Sequence, residues 1–305
     1  MKTSSESFRA LGQILQGSRD DSIDVITEEI QYFGLQHFDM VIRMKICSLF
    51  SGSSGNAVFI ATERTKLLVE AGLSGKKIAG ALCSIGESLS EISAILVSHE
   101  HIDHIRGAGV LSRKYDLPIY ASRGTWEAME QMIGPVRECN KKIFSSYIPF
   151  EIGDITITPF PIPHDANEPV GYSFSSAGRK ATIATDIGHI SMDLLRNFED
   201  SDLLLLESNH DLEMLKMGPY PWPLKQRIAG KHGHLSNDAA GEVVAYMAER
   251  GTKKFLLGHL SEENNFPELA YQTVRSVLCE KCVNAGSDIT LDIALRDRAS
   301  RVIEI

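Results

Sequence analysis

The apolar and polar positions of this chain fall into two regimes that meet near residue 43. Before that point come acidic pairs, Asp20–Asp21 and Glu28–Glu29, with moderate apolar content and no glycine-punctuated strand pattern. Leu11, Ile14 and Leu15 fit one side of a short helix. Residues 1–43 therefore read as an accessory N-terminal extension, and residues 44–305 as the main domain. From Met44 onward, short β-rich runs alternate with turns and with helical spacing. Strands are expected over 44–50, 58–61, 66–70, 92–97, 155–158, 171–174, 181–184, 203–206 and 255–257. Helices are expected over 74–82, 104–115, 192–197, 238–248 and 268–278. Early hairpins followed by strand–helix alternation predict an α/β fold of two mixed sheets flanked by helices.

Composition narrows the class. The chain has 305 residues, 43% hydrophobic and 23% charged, as an ordinary globular protein does. No stretch approaches the roughly 20 consecutive apolar residues of a membrane span. The first residues, MKTSSESFRALGQ, lack the apolar core of a secretory signal, so a cytoplasmic enzyme without membrane contact is expected. No obligate protein partner is evident. The five cysteines are odd in number and scattered, which argues for reduced thiols. Cys279 and Cys282 share a C-x-x-C spacing, but no second pair completes a metal knuckle, and they read as helix residues. A net charge of −9 excludes a broad basic face. A polyanion would have to be held by a local patch and by metal ions.

The strongest chemical signal is Ser98-His-Glu-His-Ile-Asp-His104, placed after one expected strand and before a helix. Imidazoles and a carboxylate suit zinc, manganese or iron. Ligands packed this closely strain a single tetrahedral site, so His99, His101, Asp103 and His104 suit two neighbouring ions. Further ligands stand just past other expected strands: His164 in Pro-Ile-Pro-His-Asp, Asp186 after 181–185, and His259 after 255–258. A carboxylate such as Asp186 can bridge two cations.

His99, His101, Asp103, His104, His164, Asp186 and His259, in this order, resemble the metallo-β-lactamase-fold superfamily. That resemblance implies a four-layer αββα sandwich with the site along one edge of the paired sheets. It implies that His99, His101 and His164 hold one divalent ion, that Asp103, His104 and His259 hold another, and that Asp186 bridges them, with zinc or manganese as the expected metals. Met44-Lys-Ile-Cys-Ser-Leu-Phe-Ser-Gly-Ser-Ser-Gly-Asn56, Glu207-Ser-Asn-His-Asp211, Gly233-His-Leu-Ser-Asn237 and Gly258-His-Leu-Ser-Glu-Glu-Asn-Asn265 are similar to the WalJ/YycJ group of bacterial proteins. This resemblance covers about residues 44–300 and implies a metal-dependent exonuclease acting on double-stranded DNA from the 5′ end, linked to DNA repair. Two departures stand out. Leu68-Val-Glu-Ala-Gly72 carries Glu70 where the superfamily usually has Asp, and Asn209-His210-Asp211 replaces the group's Asn-Tyr-Asp. Glu70 can still orient a ligand histidine from behind.

Two ions ~3.5–4 Å apart can share a hydroxide and acidify it toward neutrality for attack on phosphorus. Asp103 would orient that nucleophile, and His234 would serve the leaving oxygen. From Met214 to Asn237 there is no Asp or Glu, while Lys216, Lys225, Arg227 and Lys231 are present with Tyr220 and Trp222 between them. Such a stretch suits phosphates and a stacked base. Asn56 at the end of the Gly/Ser turn, with Lys231 and Ser236, is the candidate set for substrate contact. The rival reading is a small-molecule hydrolase of the same fold, a thioesterase or lactonase, since fold does not settle substrate. A metal-stabilised scaffold without activity is a weaker rival, because all seven ligand positions are filled.

Overall fold

A computed structural model describes residues 43–305. Residues 1–42, and with them nearly all of the expected extension, lie outside the described residues. Two seven-stranded sheets carry the molecule. The first has the order β14-β1-β2-β3-β4-β5-β6, with β1 Lys45–Phe50, β2 Ala57–Ala61, β3 Lys66–Val69, β4 Ala94–Leu96, β5 Ile119–Ser122, β6 Lys141–Phe144 and β14 Ile303–Glu304. The second has the order β13-β12-β11-β10-β9-β8-β7, with β7 Phe150–Ile152, β8 Ile155–Pro161, β9 Val170–Ser176, β10 Arg179–Ala184, β11 Leu203–Glu207, β12 Lys254–Gly258 and β13 Thr290–Ile293.

Strand parity builds the layers. Alternate residues point to opposite faces, and here both faces are covered. Ile46, Val58, Ile60, Leu67 and Val69 of the first sheet meet Ile157, Phe174, Ile183, Leu205 and Leu256 of the second in a core between the sheets. Their neighbours Cys47, Leu49, Phe59 and Leu68 face outward onto helices Gly75–Ser84, Ala108–Tyr115 and Arg123–Ile133. On the far side Leu204, Leu206, Phe255 and Leu257 face helices Met192–Phe198, Asn237–Glu249 and Pro267–Glu280. The result is the expected αββα order. Each buried leucine or phenylalanine stabilises it by about 1.5–3 kcal/mol before entropy is counted. Serines start the helices: Ser74, Ser122, Ser191 and Ser236 each accept the backbone N–H three residues on.

The structure corrects the element map in places. The expected helix over 104–115 is two pieces, Ile102–Ile105 and Ala108–Tyr115. The break is at Gly107, whose N–H donates to Ala71 O at 2.7 Å and where a Cβ would stand 2.2 Å from Leu73 O. Strands β5, β6, β7, β13 and β14 were not expected, being short or alternating with polar residues. Cys279 and Cys282 are exposed free thiols; Cys279 is in helix Pro267–Glu280 as expected, whereas Cys282 lies past its end with φ of 59°, and no cysteine joins a metal-capable group among the described residues. Among those residues, no helix is long and apolar enough to cross a membrane.

Candidate active site

Strand ends place the chemistry. β3 and β4 run parallel in the first sheet, and β10, β11 and β12 run parallel in the second. Glu70 follows β3, and Ser98–His104 follows β4. His164 follows β8, Asp186 follows β10, Glu207 ends β11 and His259 follows β12. Open sheets present functional groups at the carboxyl ends of their strands. Both sheets contribute here.

The backbone at three of these positions is unusual. Glu70, Asp186 and His259 have φ of 65°, 61° and 56°, in the left-handed region. Such conformations cost of order 1 kcal/mol or more for residues with a Cβ and concentrate at functional sites. The ligand loop is also pinned by main chain. Asn56 N–H donates to Asp103 O, Gly72 N–H to Asn56 O, and Ala71 N–H to His104 O, each at 2.8 Å. Gly72 is required by this closeness, since a Cβ there would lie 1.6 Å from Asp103 O.

The seven sequence-predicted ligand positions converge. His99, His101 and His164 form one group that could hold a metal ion, with His99 Nε2 3.1 Å and His164 Nε2 3.3 Å from His101 Nδ1. Asp103, His104 and His259 form a second, with Asp103 Oδ2 3.5 Å from His104 Nε2 and 3.7 Å from His259 Nε2. Asp186 lies between them. Its Oδ1 is 3.8 Å from His164 Nε2 and 3.5 Å from His259 Nε2, and its Oδ2 is 3.5 Å from His104 Nε2.

The rear of each ring decides which nitrogen faces the cluster. His99 Nδ1 meets Ser98 Oγ at 2.8 Å, His164 Nδ1 donates to Gly233 O at 3.1 Å, and His259 Nδ1 donates to Glu207 Oε1 at 2.8 Å. A ligand histidine is held by such a rear partner. His104 Nδ1 faces Glu70 Oε2 at 3.3 Å, a distance without hydrogen-bond alignment, while Glu70 Oε1 accepts from Ser98 N–H at 3.0 Å. On the cluster side, His259 Nε2 and Asp186 Oδ2 are buried with no hydrogen-bond partner in the protein. Buried polar atoms of this kind call for a partner, and a divalent cation supplies one. The His/Asp cluster is therefore compatible with divalent metal binding.

Electrostatics agree with the donor set. Burial pushes His99 and His164 below the ordinary imidazole value, so both are neutral donors. In the second group burial also opposes charge, but carboxylates outweigh it. Asp103, Asp186 and Glu70 hold His104 well above its ordinary value, and Asp186, Asp103 and Glu207 raise His259 to about 10. Burial pushes the Asp186 carboxyl up, yet His259, His104 and His99 hold it well below the carboxylate range. Protons stand here where positive charge is wanted, and a bound cation displaces them.

A cavity of about 230 Å³ opens over this cluster. His101, Asp103, His164, Asp186, His234 and His259 line its floor, and Tyr220, Leu224 and Arg227 form one wall. His234 donates from Nδ1 to Glu207 Oε1 at 2.8 Å. Burial opposes its charge, but Glu207 more than compensates and raises it.

Glu207 was not singled out from sequence. It is fully buried and accepts four hydrogen bonds, from Ile187 N–H, Leu235 N–H, His234 and His259. Its signal was a charged residue closing the apolar run Leu203–Leu206. Asp165, which pairs with Arg227 at the cavity, was missed as well. The structure does not bring Asn56, Lys231 or Ser236 to the cavity wall. Asn56 is buried and spends its side chain on Gly52 N–H, Asp103 and His104. Ser236 caps the Asn237–Glu249 helix, and Lys231 is exposed nearby. Lys225 donates to the carbonyls of Lys216 and Gly218, at 2.7 Å each, instead of standing free.

Comparison with known proteins agrees with this geometry. The Beta-lactamase superfamily domain profile matches residues 65–260. Exodeoxyribonuclease WalJ of Streptococcus pneumoniae is 42% identical over 266 residues, covering 87% of this chain and 99% of that protein. Exodeoxyribonuclease YycJ of Bacillus anthracis is 44% identical over 238 residues, covering 78% of this chain and 90% of that protein. Among solved structures, the metallo-beta-lactamase fold protein YhfI of Bacillus subtilis superposes with a TM-score of 0.66 at 20% identity, covering 86% of this chain and all of that one. That likeness concerns the fold.

Proposed function

This chain belongs to the β-lactamase superfamily, in the group that includes WalJ and YycJ, and from that premise we propose that it is a metal-dependent exonuclease that shortens double-stranded DNA from the 5′ end in DNA repair in the cytoplasm. The observation that carries the reading is the pair of three-residue groups beneath one cavity, with Asp186 Oδ1 within 4 Å of His164 in one and His259 in the other. His99, His101 and His164 would hold one divalent ion, Asp103, His104 and His259 a second, with Asp186 between them and zinc or manganese as the metals. Ions there would supply Lewis acidity, acidifying water and offsetting phosphoryl charge.

The chain's own residues do the rest. Asp103 orients the attacking water, and Asn56 and the Gly72 contact fix Asp103 in turn. His234 has Nδ1 committed to Glu207, which leaves Nε2 to pass a proton to the leaving oxygen. Glu207 favours the charged form of that imidazole. Arg227, held by Asp165 on the cavity wall, would meet a phosphate.

The experiment is an assay of end-labelled duplex DNA, single-stranded DNA and RNA with manganese, zinc or magnesium, beside elemental analysis. Stepwise loss from the 5′ end of duplex DNA and about two transition-metal ions per chain are expected. DNA left intact with every metal, together with rapid cleavage of a thioester or lactone, would overturn the proposal.

A further inference from the structure

Behind His234 lies a second cavity, of about 520 Å³, that the proposed reaction leaves unused. It sits on the outer side of the second sheet and takes lining residues from helices Met192–Phe198 and Asn237–Glu249. His234 lines both cavities, so one imidazole is the partition between them. A substrate held over the metal groups therefore has this space beside it.

The lining defines what would enter. Leu195, Leu235, Val243 and Tyr246 give it apolar walls. Among the described residues no lysine or arginine lines it, and Glu242 does, whereas the neighbouring cavity has Arg227. Glu242 is exposed and paired with Lys281 at 3.1 Å, so the lining offers a phosphate no guanidinium or ammonium group. An uncharged group with apolar faces needs none. Besides His189, His234 and Glu242, two polar groups of the wall matter here, His210 and Ser236. His210 is 1% exposed, and its Nδ1 has no hydrogen-bond partner in the protein. The Ser236 hydroxyl accepts from Ala239 N–H and still has its own proton to donate. His210 is also the residue that departs from the Asn-Tyr-Asp pattern, and nothing in the metal chemistry accounts for it.

We propose that this second cavity is a nucleobase pocket, which takes the unstacked base of a nucleotide adjoining the phosphodiester held over the metal groups. Nucleobases combine apolar faces with an edge of donors and acceptors, as the walls and the two polar groups require. Unstacking is least costly at a strand end, where an exonuclease works. This rests on the reading that DNA is the substrate.

The test uses the full chain, metal-loaded, and duplexes that differ only in an abasic residue at one of the two 5′-terminal positions. One of these abasic duplexes should be cut about tenfold more slowly than the normal duplex, as loss of a stacked base implies. Ala239→Trp, which fills the cavity from its helix wall, should cut the normal duplex at that same reduced rate and leave the abasic rate unchanged. Ala239→Leu carries the comparison if the tryptophan variant does not fold by circular dichroism. In parallel, 2′-deoxyadenosine is titrated into the zinc-loaded chain while the His210 ring signals are followed by NMR. Binding that shifts them, and that Ala239→Trp or Ala239→Leu weakens, is expected. If deoxyadenosine binds so while no DNA is cut with any metal, the pocket stands and the nuclease reading falls. Equal rates on all duplexes, equal loss on all in the filled variant, or a His210 response to decanoate and none to deoxyadenosine would overturn the pocket.

Discussion

The His99–His101–His164 group and the Asp103–His104–His259 group have three side chains each, yet they are supported differently. Behind the first stand a hydroxyl, Ser98 Oγ, and a carbonyl, Gly233 O. Behind the second stand two buried carboxylates, Glu70 and Glu207. In the first cage burial drives His99 and His164 down, and in the second, anionic cage carboxylates drive His104 and His259 up. One is organised by geometry, the other by charge that a cation must balance. The second group should therefore fill first when metal is limiting.

Four experiments break or sharpen that contrast. Asp103→Ala removes the anionic cage's own carboxylate and should lower turnover by about 10²–10⁴-fold with the fold intact by circular dichroism. A wild-type rate would reject its role. Glu207→Gln keeps the shape but removes the charge behind His259 and His234. It should cost about 10–100-fold in metal affinity or rate, against a smaller loss in Ser98→Ala behind the first cage. Equal losses, read by competition with a fluorescent chelator, would erase the difference between the groups. Chelation should lower the melting temperature, because ions that bind only the folded state at 100-fold their Kd add about 2.7 kcal/mol. An unchanged melting temperature would mean that neither cage holds metal in the native chain. The smallest effect concerns His210, which carries no cation at all. Burial depresses it to about 4 from 6.5. The unfolded chain therefore takes that proton first, and stability falls as pH drops from about 6.5 toward about 4. His210→Phe should reduce this loss, visible as a smaller change in urea midpoint between pH 7 and pH 5.

How much of this was legible depended on distance along the chain. His99, His101, Asp103 and His104 are neighbours in sequence, and their spacing alone announces a shared site. His164, Asp186 and His259 could be placed because each follows a β-rich run, and strand ends gather at one edge. Glu207 also closes a β-rich run, but one carboxylate there does not show which histidines it serves. It reaches His259 because β11 pairs in register with β12, Glu207 opposite Gly258, and that register is a tertiary fact. Asn56 shows the opposite case. At the end of the Gly/Ser turn it reads as a substrate contact, but main-chain bonds tie it to the ligand loop and bury its side chain, while Ser53 of the same turn reaches the cavity. The acid-free stretch 214–237 was legible in part, for it brings Tyr220 and Arg227 to the cavity. Its lysines look free in a list of charges, while Lys225 is anchoring the end of helix Leu212–Met217.

The ligand positions are divided between the sheets. His99, His101, Asp103 and His104 follow a strand of the first, and His164, Asp186 and His259 follow strands of the second. Neither sheet alone assembles either cage, since His164 completes one and His259 the other. Metal capture is thus a checkpoint on the docked molecule: a half-assembled chain cannot pass it, and an ion once caught acts as a rivet across the sandwich. Cut in the loop between β6 and β7, the two fragments should be inert apart and regain metal only on recombining, which makes the centre a natural reporter of complementation.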